Sequence, residues 1–180
     1  MIELDYRDMF NTMHPGFFEK SYIQAIDPDE IFSEMILGLS TYEPLPPVRV
    51  SENIRYILWQ DDKQKLYDAV QKVIPEWVEI FKNNSSPILC GMDGNRILSF
   101  CLLEDMKSYK GLRIGGPGCV GTIPETRGRG VGLRMVQLAT EYFQREGYDI
   151  SYIHYTGVAP WYEKLGYKTI LTWTRNGFCD

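Results

Sequence analysis

Only two histidines, His14 and His154, and four cysteines, Cys90, Cys101, Cys119 and Cys179, occur in the 180 residues. No cysteines form a CxxC pair and none has a histidine at ligand spacing, so no metal site is expected. Three of the cysteines fall in apolar, strand-like stretches and read as small buried hydrophobes rather than disulfide partners or nucleophiles. A basic excess is missing too: nineteen Lys and Arg stand against twenty-four Asp and Glu, a net charge of −5. General attraction to nucleic acid or to an anionic membrane is therefore not expected. No apolar run approaches membrane-spanning length, and Met1-Ile2-Glu3-Leu4-Asp5 lacks the basic and apolar regions of a signal peptide. Together these absences point to a reduced, cytoplasmic setting, with an amine-bearing partner slightly favoured by the acidic balance.

What is present suffices for one sizeable core, since 44% of the chain is hydrophobic and 13% aromatic. Residues 1–47 read as an amino-terminal extension with short aromatic clusters broken by His14-Pro15-Gly16 and Asp27-Pro28. Asp27 as cap, Pro28 at the first helical position and Glu30 three residues on, ahead of Ile31, Met35 and Leu39, predict a helix from Asp27 to Leu39. The extension is read first as an enlargement of the core, ahead of a cover over a small-molecule pocket or a homodimer contact. Residues 48–180 read as the main domain. Arg55 to Trp59 predicts a strand, Lys63 to Phe81 a helical segment divided at Pro75, and Ile88 to Met92 with Ile97 to Leu103 a β-hairpin around Asp93-Gly94-Asn95. Leu112 to Thr122 predicts a strand whose glycines mark a bulge or a close backbone approach. After a glycine loop come a long amphipathic helix ending at Gly147, a strand from Ile150 to Tyr155, a short helix from Trp161 to Leu165 and a strand from Tyr167 to Arg175. The succession describes a mixed α/β domain.

The loop Arg127-Gly128-Arg129-Gly130-Val131-Gly132 lies between that strand and the long helix. Its glycines let backbone amides approach a ligand, the helix dipole points its positive end at the same place, and two guanidinium groups add charge. Such a site suits a pyrophosphate, whose several oxygens must be neutralised together. No Lys-Ser or Lys-Thr follows the last glycine as in a P-loop, and the spacing is not GxGxxG.

Arg127-x-x-Gly130-x-Gly132, with Pro124 before it and the helix after it, resembles the Q/R-x-x-G-x-G/A acyl-CoA loop of the GNAT N-acetyltransferase superfamily. Trp161-Tyr162-Glu163-Lys164-Leu165-Gly166-Tyr167 resembles that family's F/L/W-Y-E-K-x-G-F/Y segment. The likeness covers roughly residues 88–175. It implies a central twisted sheet of about six to seven strands with a splayed parallel pair and flanking helices. It also implies acetyl-CoA as co-substrate, with its pyrophosphate on the amides of Arg127, Gly128, Arg129, Gly130, Val131 and Gly132 and its pantetheine arm paired with Val120, Gly121 and Thr122. The activity implied is acetyl transfer to a primary amine, most simply on a small molecule. A module that binds acyl-CoA without transferring the acyl group is the alternative.

Transfer from a thioester to an amine needs a neutral nitrogen, an oriented carbonyl and a proton for the departing thiolate. By the resemblance, Tyr162 supplies that proton. For the base, Glu104 at a strand end, His154 on the splayed strand and an ordered water remain equal candidates. An Asn common in the family between the splayed strand and the short helix is missing here, its place falling near Tyr155 or Thr156.

Overall fold

Residues 32–38, which the capping pattern at Asp27 predicts as helix, form a strand with both edges paired. Eight strands make one sheet in the computed structural model, which describes residues 4–179. They are β1 Phe32–Gly38, β2 Ile54–Leu58, β3 Ile88–Asp93, β4 Arg96–Tyr109, β5 Leu112–Thr122, β6 Ile150–Thr156, β7 Lys168–Thr174 and β8 Gly177–Phe178. The helices are α1 Tyr6–Met13, α2 Ser21–Gln24, α3 Lys63–Gln71, α4 Trp77–Asn83, α5 Val131–Arg145 and α6 Ala159–Glu163. The strand order is β2-β3-β4-β5-β6-β1-β7-β8, so the first strand in sequence is clasped between two of the last three. This is a mixed α/β fold with one parallel pair, β5 and β6, and helices on both faces.

The helix expected over 27–39 fails for two physical reasons. Asp27 does accept a backbone N–H, but from Asp29 at 2.9 Å, which closes a tight turn instead of capping a helix. Ile31, Met35 and Leu39 are spaced by four, a spacing that period two satisfies as well as period 3.6. Phe32 and Ile36 fill the intervening face, so the stretch is apolar on both sides, as a strand inside a sheet must be.

Elsewhere the elements fall where turn chemistry and periodicity place them. Asp62 caps α3 by accepting from Gln64 N at 2.8 Å, and Pro75 separates α3 from α4. Leu66, Ala69, Val70 and Phe81 of these helices pack on Cys90, Phe100 and Leu102 of the sheet. On the opposite face α5 lays Met135, Ala139 and Phe143 against Leu89, Cys101 and Leu103. Residues 39–50 run over α5 as a strap, held by two side chains of that helix one heptad apart. Gln137 accepts from Val48 N at 3.0 Å and donates to Leu45 O at 2.9 Å, while Gln144 donates to Tyr42 O at 2.7 Å.

Two local features open the sheet. Parallel pairing of β5 and β6 is confined to Ile114 with Ile150 and Gly115 with Ser151. At Gly116 the Tyr152 carbonyl oxygen occupies space 1.9 Å from where a Cβ would stand, and beyond it the strands part. β5 also bulges: Phe100 pairs with Gly121 but Leu102 pairs with Gly118, leaving an extra residue accommodated by Cys119 at φ 47°.

Candidate active site

The turn before α5 is built to leave amides free. Pro124–Thr126 forms one turn of 3-10 helix, closed by Thr126 Oγ1 donating to Ile123 O at 2.9 Å. Gly128 and Gly130 then take φ of 77° and 76°, the left-handed conformation that favours glycine. Gly130 stands at the N-cap and offers no side-chain acceptor, and the first helical amide to find a carbonyl is that of Arg134, on Gly130 O at 2.9 Å. Among the described residues no acceptor takes a hydrogen bond from the amides of residues 128–133. The helix entrance is pinned from β2, where the Tyr56 hydroxyl donates to Val131 O at 2.8 Å. Gly132 is glycine for packing, since a Cβ there would lie 2.4 Å from Thr122 Oγ1.

These amides face a cleft of about 690 Å³. Val120, Thr122, Arg127, Gly128, Gly130, Val131, Gly132 and Tyr162 all line it. Two of the residues picked out by the motif are not in its lining. Gly121 faces the other side, against the Phe100 ring, and Arg129 is exposed at the loop tip. Arg127 is tethered, with Nε donating to Thr122 O at 3.2 Å. The far wall comes from Val73, Ile74 and Trp77 at the α3–α4 junction, with Val158 and Trp161 at α6. The helical break at Pro75 puts Val73, Ile74 and Trp77 at the junction of the two helices.

The two tyrosines of the α6 motif have different duties. Tyr167 is fully buried and its hydroxyl is shared between Thr140 Oγ1 at 2.8 Å and Ser151 Oγ at 2.7 Å, tying α5 to β6. Tyr162 is 6% exposed, packs edge-on against Trp161, and has no hydrogen-bond partner for its hydroxyl among the described residues. Burial, followed by the nearby Tyr167, Cys101 and Cys119, raises its pKa above the ordinary phenol value. It thus remains a protonated donor at the cleft wall.

On the opposite face of the sheet a second polar cluster forms around Glu34, which sequence reasoning missed because a lone Glu in an apparent helix reads as solvent-facing. Its carboxylate is fully buried. Oε1 accepts from Tyr155 N at 3.1 Å and Trp173 Nε1 at 2.7 Å; Oε2 accepts from the Tyr152 hydroxyl and lies 2.9 Å from His154 Nδ1. Tyr155, at φ 57°, makes the bulge in β6 opposite Glu34. His154 also stacks on His14, with ring centroids 3.8 Å apart and planes at 10°. Glu104, the other base candidate, is half-buried on β4 and accepts from Asn84 Nδ2 at 3.1 Å. Burial raises its pKa, against the pull of Asn84 and of His154.

A bulged strand running into a glycine and arginine turn, a long helix starting there and a parallel pair that splays beside it define an acetyltransferase type of α/β protein. The Acetyltransferase (GNAT) family model matches residues 51–167, more than half of the sequence, and the chain belongs to that family. β1 and the helices before it lie outside the matched region. Solved structures agree. The glucosamine N-acetyltransferase region of a fungal multidomain β-N-acetylglucosaminidase superposes with a TM-score of 0.67 at 21% identity, over 81% of this chain and 20% of that one. A GCN5-related N-acetyltransferase from Sphaerobacter thermophilus gives 0.63 at 19% identity, over 82% and 51%. An acetyltransferase of the family from Novosphingobium aromaticivorans gives 0.55 at 17%, over 79% and 61%. The chain thus spans at most about half the length of the first two. No curated protein matches the sequence at a significant level.

Proposed function

We propose that the protein transfers an acetyl group from acetyl-CoA to a primary amine on a small molecule. The observation that carries this reading is the row of unengaged amides at residues 128–133, opening into the same cleft as the free hydroxyl of Tyr162. Acetyl-CoA brings the activated thioester and a diphosphate. The amides and the start of α5 suit the diphosphate, and Arg127 and Arg129 add charge beside it. Beyond Gly115 the edge of β5 that faces β6 has no partner strand among the described residues, so Val120, Gly121 and Thr122 can receive the amides of a pantetheine arm as a strand would. Gly121 serves through its backbone, and its missing side chain admits Phe100 on the other face.

At the end of that arm the thiolate departs near Tyr162, whose buried phenol keeps its proton and can give it to sulfur. The cleft walls Val73, Ile74, Trp77 and Trp161 exclude water from the thioester. One structural neighbour is described as a glucosamine N-acetyltransferase region, which makes an amino sugar a sensible member of an acceptor panel.

Calorimetry with acetyl-CoA, paired with a thiol-release assay on glucosamine, spermidine, amino-acid amides and an aminoglycoside, tests the reading. Cofactor binding with thiol release on at least one amine is the expected result. Binding without release on any amine would favour a non-catalytic acyl-CoA module, and absence of binding would overturn the whole reading.

A further inference from the structure

On the face of the sheet away from α5, the strand leading to the glycine loop carries no side chain at residues 116 and 118, where the sheet splays. Gly116 and Gly118 pair with Glu104 and Leu102 across the β4–β5 ladder, so all four residues address that face. Ile114 pairs with Ile150, and alternation along β6 then turns Tyr152 and His154 toward the same side. A glycine floor therefore lies between a wall carrying Glu104 and a wall carrying His154. Glu104 reaches over that floor: a Cβ on Gly118 would lie 2.0 Å from its Oε2.

The two sides of the His154 ring are treated differently. Nδ1 is 2.9 Å from the Glu34 carboxylate, whereas Nε2 has no partner among the described residues and the side chain is 23% exposed. Tyr152, Trp173 and the Tyr155 amide can only donate to the carboxylate in this arrangement, and with His154 they fill its four acceptor directions. No Lys or Arg neutralises Glu34 among the described residues. A buried carboxylate in that position demands a proton on Nδ1, and this fixes the tautomer whose free lone pair is on Nε2.

We propose that His154 Nε2 takes the proton from the acceptor amine, and that Glu34, carried in by the amino-terminal strand, is the positioning residue that holds the imidazole in the required tautomer. The inference rests on the acetyl-transfer reading above. The amine nitrogen bonds to the acetyl carbonyl carbon as the carbon–sulfur bond breaks. The N–H proton passes to His154 Nε2 and on to solvent. The thiolate leaves with a proton from Tyr162, which solvent restores. The charged and titratable groups around His154 are Glu34 on β1, His14 at the end of α1, Tyr152 and Tyr155 on β6 and Glu104 across the floor. His14 stays neutral: burial, then the neighbouring His154 and Lys20, pull its pKa down to about 3. It is a stacking surface for the other ring, not a rival base.

The test uses the full chain, with the most active amine of the panel above and acetyl-CoA. His154→Gln is expected to lower kcat by about 10²-fold or more, to abolish the loss of rate on acidification, and to leave acetyl-CoA affinity by calorimetry unchanged. With only two histidines in the chain, nitrogen-15 imidazole spectra can be assigned by that same variant. They should show His154 protonated on Nδ1 in the wild type and a mixed tautomer in Glu34→Gln, with reduced kcat and unaltered KM for acetyl-CoA. Should Glu34→Gln fail to fold, Glu34→Asp, which withdraws the carboxylate by one methylene, is expected to show the same tautomer mixing. An active wild type with a His154→Gln variant within threefold of it overturns the proposal, as does a wild-type spectrum with the proton on Nε2. If Glu104→Gln alone removes the acid dependence, the base is Glu104 and the proposal is wrong. A wild type that releases no thiol with any amine instead sinks the transfer reading itself.

Discussion

The carbonyl oxygen of Arg49 lies 2.9 Å from the point where a Cβ on residue 130 would stand. The strap from the amino-terminal region and the turn that faces the cleft therefore touch with no room for a methyl group. Val48 closes the other side, 3.2 Å from the same point.

Gly130→Ala should accordingly do more damage than Gly128→Ala. Both glycines have a left-handed φ, which costs a side-chain-bearing residue about 1–2 kcal/mol, but nothing lies within 4 Å of a Cβ at 128. Thermal unfolding should show the larger loss for Gly130→Ala, and calorimetry the larger loss of acetyl-CoA affinity. Equal behaviour of the two variants would mean that the strap yields freely.

Arg127 and Arg129 should differ in salt dependence. Both are exposed, but Arg127 is tethered to Thr122 O and lines the cleft, whereas Arg129 at the loop tip does not line it. Replacing either with Ala is expected to weaken acetyl-CoA binding about tenfold at low salt. Raising the salt should erase the difference from wild type for Arg129→Ala and leave much of it for Arg127→Ala.

The tyrosines of the α6 motif should separate chemistry from stability. Tyr162→Phe is expected to cut kcat by about 10²-fold with KM for acetyl-CoA little changed and the melting temperature preserved. Because burial raises the Tyr162 pKa, the wild type should show no loss of rate on the alkaline side from this phenol up to pH ~10, the ordinary phenol value. Tyr167→Phe should do the reverse. It strips the hydrogen bonds to Thr140 and Ser151 and is expected to destabilise the fold by about 1–3 kcal/mol while turnover survives.

His14 should make stability depend on acid. Its folded-state pKa, about 3, lies below the ordinary 6.5, so the unfolded chain binds the extra proton between those values. Its contribution is fully present above pH 6.5 and is lost as pH falls toward 3, at a limiting slope of roughly 1.4 kcal/mol per pH unit. Denaturant unfolding of His14→Phe, which keeps an aromatic ring against His154 and Phe10, should show a shallower decline over that window. An unchanged slope would place the acid sensitivity elsewhere.

The region matched by the family was legible because its signals are local. Pro75 divides a helix, Asp93-Gly94 closes a hairpin and Gly147 ends α5, each through its own backbone preference. The bulge at Cys119 was announced by neighbouring glycines. The amino-terminal strand was illegible for the opposite reason, since its conformation is imposed by β6 and β7 and its spacing suits two periods. Glu34 was hidden with it. A carboxylate looks like surface until the four donors around it are known, and Tyr152, His154, Tyr155 and Trp173 all lie far along the chain. Tyr162 could be singled out only through a motif, because nothing in its own neighbourhood of sequence separates it from Tyr167.

The pairing of Ile36 with both Tyr152 and Lys168 fixes an order of events during synthesis. Residues 32–38 emerge from the ribosome long before either neighbour exists, with apolar side chains on both faces and both edges open. The sheet cannot close around residues 32–38 until β7 has been made, so its completion joins segments more than a hundred residues apart in one step. A ribosome stalled anywhere before β7 would hold a strand with an unfilled edge, and that edge is where a chaperone, or a second nascent chain, would attach.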